Sequence, residues 1–418
     1  LLFLVATVIP VYELPGIGLS ITAPLMFFIA LEMFAGRRSR TGQLTGNRWV
    51  SSVFLVAYGM LISVFANLLL RRVAMGTDVA LTLVRYGYWW LVFLTMASIS
   101  SHKAWMRRIV VVLGISAIGL AGVRVLDALL VGGWGVHSQE FRPRFLTKNL
   151  YGIQFSSFAP FAFILPFVVS RRHRIFALAG VLFLLVVILA NGSRGNWVAL
   201  AAGGSVWIAV YSITHSARGQ WVWMLPVLIF MIVFQVPLPG QIEEVVSRQL
   251  DTFEDLDADK SYEFRQVMIQ KALILFEKYP VFGVGLNQFK QTYVPELVIP
   301  PILRRHAESF ITGSPHNAYI HYLAELGLVG TIPFALFLAR LALRGTQAAI
   351  HFARKEEVWA LGVLWGFVSM SVHLWSLAGL GSTGPWFIYG LVAGMIVQSQ
   401  VCERPAMATN ARERIHRS

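Results

Sequence analysis

Apolar runs recur along the 418-residue chain, most of them near the 17–25 residues that cross a bilayer as a helix. Twelve spans are predicted, at roughly 1–14, 17–35, 49–69, 79–99, 109–130, 150–170, 175–190, 196–212, 221–237, 317–341, 357–377 and 385–400. A transmembrane β-barrel would instead show alternating segments of about 10 residues, and that pattern is missing. The expected fold class is therefore an all-α polytopic membrane protein with about 12 transmembrane helices. Residues 1–418 form a single transmembrane domain in this reading, with no sequence repeat.

One polar segment, 238–316, breaks the rhythm before the tenth span. A loop this long is expected to be functional or to carry structure of its own. Glu243 to Arg265 is acid-rich. Tyr262 to Lys278 reads as a helix with Phe264, Met268, Leu275 and Phe276 among its apolar positions, expected to lie on the membrane surface. Pro280-Val281-Phe282-Gly283-Val284-Gly285 then ends it.

Composition agrees with lipid as solvent. Hydrophobic residues make up 56% and charged residues 13%, where a soluble domain carries about 25% charged. The net charge of +14 does not point to nucleic acid, because the cations sit in short clusters between apolar runs. Placing the amino terminus in the cytoplasm puts eighteen lysines and arginines inside and six in the short outer loops. That bias makes both termini cytoplasmic and places 238–316 outside. The lone Cys402 excludes an internal disulfide framework. The chain opens Leu1-Leu2-Phe3, so a few native residues are expected to precede it. No cleavable signal peptide is expected.

Candidate chemistry lies at the outer face. His316, in Ser314-Pro315-His316-Asn317, stands where the loop meets the tenth span. The positive end of that helix favours a neutral imidazole able to accept a proton; the plainer reading is a capping or interface histidine. Arg194, in Asn191-Gly192-Ser193-Arg194-Gly195, sits where orientation does not call for an arginine. Its fork suits phosphate oxygens, and snorkelling is the plainer account. Arg265 opens the loop helix and has Glu263 as a possible partner. Arg304-Arg305-His306 reads as a solvated basic face or a further anion contact. Within the spans, Arg124 has Asp127 one turn away, whereas Arg85 has only Tyr86, Tyr88, Trp89 and Trp90 beside it, an interface belt or a substrate lining.

Metal chemistry is not expected. Asp255, Asp257 and Asp259 are followed by Lys260 and Gln266 where an EF-hand needs Gly and Glu. His316 and His321 are read as lacking a carboxylate or cysteine at ligand spacing. No Walker loop, dinucleotide fingerprint or nucleophile-elbow serine occurs, and no cofactor is expected.

A proton acceptor and two arginines around a membrane chamber fit one reaction. The arginines would clamp a lipid-linked sugar diphosphate while His316 deprotonates an acceptor hydroxyl that attacks the anomeric carbon. Single displacement would invert that centre.

The run His316-Asn317, nine residues, Gly327, two residues, Gly330 resembles the signature of the O-antigen ligase family. Ser193-Arg194-Gly195 is similar to the family's outer arginine. Arg265, upstream of Phe276-Glu277-Lys278-Tyr279-Pro280 and the Gly283/Gly285 turn, is similar to the arginine of its large periplasmic loop. The resemblance implies an inner-membrane glycosyltransferase with a GT-C-type helical fold and no metal. It would move O-antigen polysaccharide from undecaprenyl diphosphate to lipid A–core at the periplasmic face. It assigns diphosphate binding to Arg194 and Arg265 and base catalysis to His316, beside which Asn317 and Glu325 are expected in supporting roles. Asn317, Arg304, Arg305 and Arg85 are read as further substrate contacts. The implied partners are the lipid-linked donor, the lipid A–core acceptor and membrane lipids, not nucleic acid. An O-antigen polymerase is the nearest alternative. Polymerases often carry glycine eleven residues after each loop arginine, where this chain has Ser205 and Phe276. A protein O-oligosaccharyltransferase and a non-enzymatic flippase of lipid-linked glycans also stay open.

Overall fold

The computed structural model describes residues 48–70, 76–131, 148–214, 260–300, 314–377 and 383–417. The described residues form helices, turns and irregular segments, with no strand among them. The helices are α1 (Arg48–Leu69), α2 (Thr77–Ser100), α3 (Lys103–Val131), α4 (Lys148–Val168), α5 (Arg174–Ala190) and α6 (Arg194–Thr214). They continue with α7 (Lys260–Lys278), α8 (Ala318–Ala353), α9 (Trp359–His373) and α10 (Thr383–Arg417). Nine of the twelve expected spans fall on these helices; those at 1–14, 17–35 and 221–237 lie outside the described residues. Among the described residues, six helices are long and apolar enough to cross a membrane, namely α2 to α6 and α8. The apolar parts of α1 and α9 are shorter.

α9 is the hub, packed on α4, α6, α8 and α10. Small residues let it approach. A Cβ on Gly203 of α6 would clash with Ser369 and Trp365, and one on Gly362 would clash with Ile164 of α4. Close contact through small residues is how helices associate where water supplies no driving force. Outside this core, Phe54, Leu69, Leu129, Ile175 and Phe176 present apolar side chains outward, as lipid-facing positions do.

The loop helix differs from expectation. α7 begins at Lys260, close to the predicted start, but its apolar stripe is covered by protein. Val267, Met268, Ala272 and Leu275 pack with Val284, Phe289 and Val294 of the following segment and with Ala324 of α8. A Lys278–Glu296 ion pair at 2.7 Å braces the outside of this unit. The aromatic run on α2 also faces inward. Tyr86, Tyr88 and Trp89 are buried rather than forming a surface belt, and Tyr86 lies 6.4 Å from Tyr322 of α8, centroid to centroid.

Candidate active site

The histidine signature is explained by backbone. α8 is broken at Gly327, whose φ of 61° and ψ of −163° leave the helix. Leu328 and Val329 would ordinarily donate to Ala324 and Glu325, four residues earlier. Instead Leu328 N donates to Pro280 O (2.9 Å) and Val329 N to Val281 O (3.1 Å). In exchange, Val284 N donates to Ala324 O (3.0 Å) and Gly285 N to Glu325 O (2.9 Å). Two helical bonds are thus replaced by four to the loop, and the four displaced groups, Leu328 N, Val329 N, Ala324 O and Glu325 O, are all partnered. A side chain at Gly327 has no room, because a Cβ would lie 2.5 Å from Val281 O and Gly283 N. α1 completes the joint: Ser63 Oγ (2.7 Å) and Asn67 Nδ2 (3.0 Å) both donate to Phe282 O. Such satisfaction is required wherever irregular backbone reaches membrane depth.

Glu325, beside the break, takes a hydrogen bond from Phe289 N at 3.1 Å and stands 3.3 Å from His321 Nε2. The sequence singles out Glu325 as a supporting residue, but not as the partner of His321, one helical turn before it. Its work is to hold the loop. Among the described residues, no group of three or more His, Cys, Asp or Glu side chains is arranged for a metal.

Three turns above the joint stands His316. Asn317, with φ −142°, caps α8: its Oδ1 accepts from Tyr319 N and Ile320 N, both at 3.1 Å. Asn317 was expected to touch substrate, but its side-chain oxygen is already committed to the cap. His316 takes φ 45°, a strained value for a non-glycine residue. Its Nδ1 is buried and has no hydrogen-bond partner. The joint brings α7 alongside, so that the Phe264 ring meets the imidazole edge-on at 6.2 Å. Arg265, the next residue, is half-buried. Burial and then the Arg265 charge hold His316 below the usual histidine range. Both causes favour the neutral imidazole, an effect assigned from sequence to the helix terminus.

Arg194 is the first residue of α6 and half-buried. The turn before it, with Gly192 at φ 62°, is pinned from below. Arg124 Nε donates to Asn191 Oδ1 at 3.0 Å, pairs with Asp127 at 3.4 Å, and lies 5.3 Å over the Tyr151 ring. The expected Arg124–Asp127 pair is thus seen, and it props the Arg194 turn. α9 links this turn to His316. His373 stands against Gly195, and the carbonyl of the next residue, Leu374, accepts from Ala318 N at 2.9 Å.

The described fold therefore couples Arg265 to His316 directly and Arg194 to His316 through α9. Arg85 is half-buried on α2, in the turn that carries Tyr86 to Tyr322. Arg304, Arg305 and Asp255–Asp259 lie outside the described residues. Two residues were missed in the sequence. Lys271 of α7 is buried with its Nζ 4.9 Å over the Phe289 ring. His373 lay inside an apolar run without a nearby carboxylate; only its polar neighbours Ser369 and Ser371 signalled it.

The arrangement defines a multi-pass helical membrane protein with a half-buried imidazole beside the Arg265 guanidinium, where the loop meets α8. Residues 179–335, rather more than a third of the chain, match the family model described as O-antigen ligase. This segment, through which the chain is similar to that family, contains Arg194, Arg265, His316 and both halves of the Gly327 joint. Members of that family are glycosyltransferase-like enzymes with lipid-linked polysaccharide substrates. A search of curated proteins finds no match.

Proposed function

We propose that this protein is an O-antigen ligase, a metal-independent inverting glycosyltransferase. It moves O-antigen polysaccharide from undecaprenyl diphosphate to lipid A–core at the periplasmic face of the inner membrane, with both termini cytoplasmic. The observation that carries the reading is the unpartnered His316 Nδ1 beside Arg265. A buried nitrogen without a partner is held ready to receive one, because burying a polar atom unbonded is unfavourable.

In the proposed reaction, Arg194 and Arg265 grip the donor diphosphate. His316 takes the proton of an acceptor hydroxyl as its oxygen attacks the anomeric carbon. The bond from that carbon to the diphosphate oxygen breaks, and the electron pair leaves on undecaprenyl diphosphate. The arginines stabilise the charge growing there, a contribution on the order of 3–4 kcal/mol for one well-placed donor. The proton then passes from the imidazolium to water.

The test is transfer by purified protein from a lipid-linked glycan to lipid A–core, in chelator, comparing wild type with His316→Ala. Transfer that survives the substitution rules out the base. Transfer only onto another glycan chain identifies a polymerase, and inactivation by chelator identifies a metal enzyme.

A further inference from the structure

One buried titratable side chain next to this site has no task in the proposed reaction. His373 ends α9 and is only 2% exposed. Its Nδ1 lies 2.5 Å from Ser156 Oγ of α4. Ser156 in turn donates to Asn196 Oδ1 of α6, at 2.7 Å, two residues beyond Arg194. A serine hydroxyl has one proton to give. With that proton committed to Asn196, Nδ1 of His373 carries the hydrogen and donates to Ser156. The lone pair then sits on Nε2, on the side of the Arg194 turn.

The ring packs against both neighbours. A Cβ on Gly195 would stand 3.6 Å from His373 Nε2, in ordinary contact, and would clash with Ser376 Oγ, three residues beyond His373. One on Gly152 would stand 3.3 Å from His373 Cε1 and 2.6 Å from Ser193 Oγ. Gly195 thus admits the chain just after His373, and Gly152 admits the turn and the ring. The same stretch of chain also supports the base: Leu374 O accepts from Ala318 N, and Ser371 O accepts from Tyr319 Oη at 2.8 Å. His373 thus stands where α4, the Arg194 turn and the start of α8 meet.

We propose that His373 is a positioning residue that sets Arg194 and His316 at a fixed separation, through its bond to Ser156 and its packing under Gly195. The proposal rests on the glycosyl-transfer reading of the same site. The imidazole makes no contact with the reacting atoms in this role. It acts through Ser156 and Asn196 on the first turn of α6, and through the chain after it on the first turn of α8.

The experiment compares full-length wild type, His373→Leu, His373→Asn and Ser156→Ala in one detergent, reading kcat, donor KM and melting temperature. His373→Leu fills the space without a donor, and kcat is expected to fall about 10²-fold, the scale of a group misplaced by an ångström, with donor KM changing far less. His373→Asn places an amide nitrogen near the Nδ1 position and is expected to recover to within about tenfold of wild type. A folded Leu variant with kcat within about twofold of wild type overturns the proposal, as does an Asn variant no better than Leu. Where Leu fails to fold, Ser156→Ala decides. It should reproduce the loss, and adding His373→Asn should cost less than about twofold more; fully multiplicative losses overturn the proposal. These ratios are read on whichever glycan product wild type makes. A product on the wrong acceptor therefore overturns the ligase reading and leaves the positioning result standing.

Discussion

Two buried polar clusters, one among the membrane helices and one where the loop meets α8, are built in opposite ways. Around Arg124 the charge is surrounded: Asp127, Asn191 and the Tyr151 ring all meet the guanidinium. Around His316 the Nδ1 is buried and unmet, and the Arg265 charge opposes its protonation. A buried polar group without a partner is costly in either place. Where the protein supplies the partner, the group holds helices together. Where the protein withholds a partner, the group is available to a substrate.

The comparison yields tests that run from large effects to small. His316→Ala should lower transfer by about 10²–10⁴-fold, the usual worth of a general base, with the melting temperature unchanged. Equal losses of transfer and of stability would show that His316 belongs with Arg124, as scaffold. Arg124→Gln should do the reverse. It leaves Asp127 buried without its cation, for a loss of about 3–5 kcal/mol seen in detergent melts. Arg124→Met combined with Asp127→Leu should regain most of that; a double variant as unstable as the single one breaks the scaffold reading.

Gly327→Ala comes next, with more than about 1 kcal/mol lost, since a Cβ there must take a left-handed φ as well as meet Val281 O. Asn317→Ala should lose about 1 kcal/mol through the cap, and Asn317→Asp should restore it. Transfer that fails in both would show that Asn317 touches substrate after all. The smallest effect concerns pH. His316 works as a base only when neutral, and its pKa is held below the ordinary value, so activity should fall on the acid side of that value. Arg265→Gln removes one of the two causes, the imidazole then holds its proton more tightly, and the acid limb should move to higher pH. A limb that moves down, or stays, breaks the link between these two residues.

Much of this was legible in the sequence because it depends on local chemistry. The spans over α1 to α6 and α8 to α10 follow from runs of apolar residues, which is what lipid demands at each position separately. Arg194, Arg265 and His316 could be singled out because each breaks such a run or its orientation rule. The joint at Gly327 could not be read. Its meaning lies in bonds to Pro280, Val281, Val284 and Gly285, and nothing in Ala-Glu-Leu-Gly-Leu says where the displaced donors go. For the same reason α7 looked like a membrane-surface helix: an apolar stripe does not declare whether lipid or protein will cover it. His373 shows the limit most clearly. A histidine in an apolar helix is ambiguous until Ser156 and Asn196, from two other helices, are placed beside it.

The break in α8 also acts as a ruler. Gly327 is fixed to the loop by four hydrogen bonds, and His316 lies eleven residues before it, about three turns at 3.6 residues each. Both ends of that interval therefore point toward the same loop. One inserted residue between them would swing the imidazole by about 100° and lift it about 1.5 Å, carrying it off Arg265 without changing a single functional side chain. What this stretch must preserve is a distance in residues, and the glycine that never meets substrate is the mark from which it is measured.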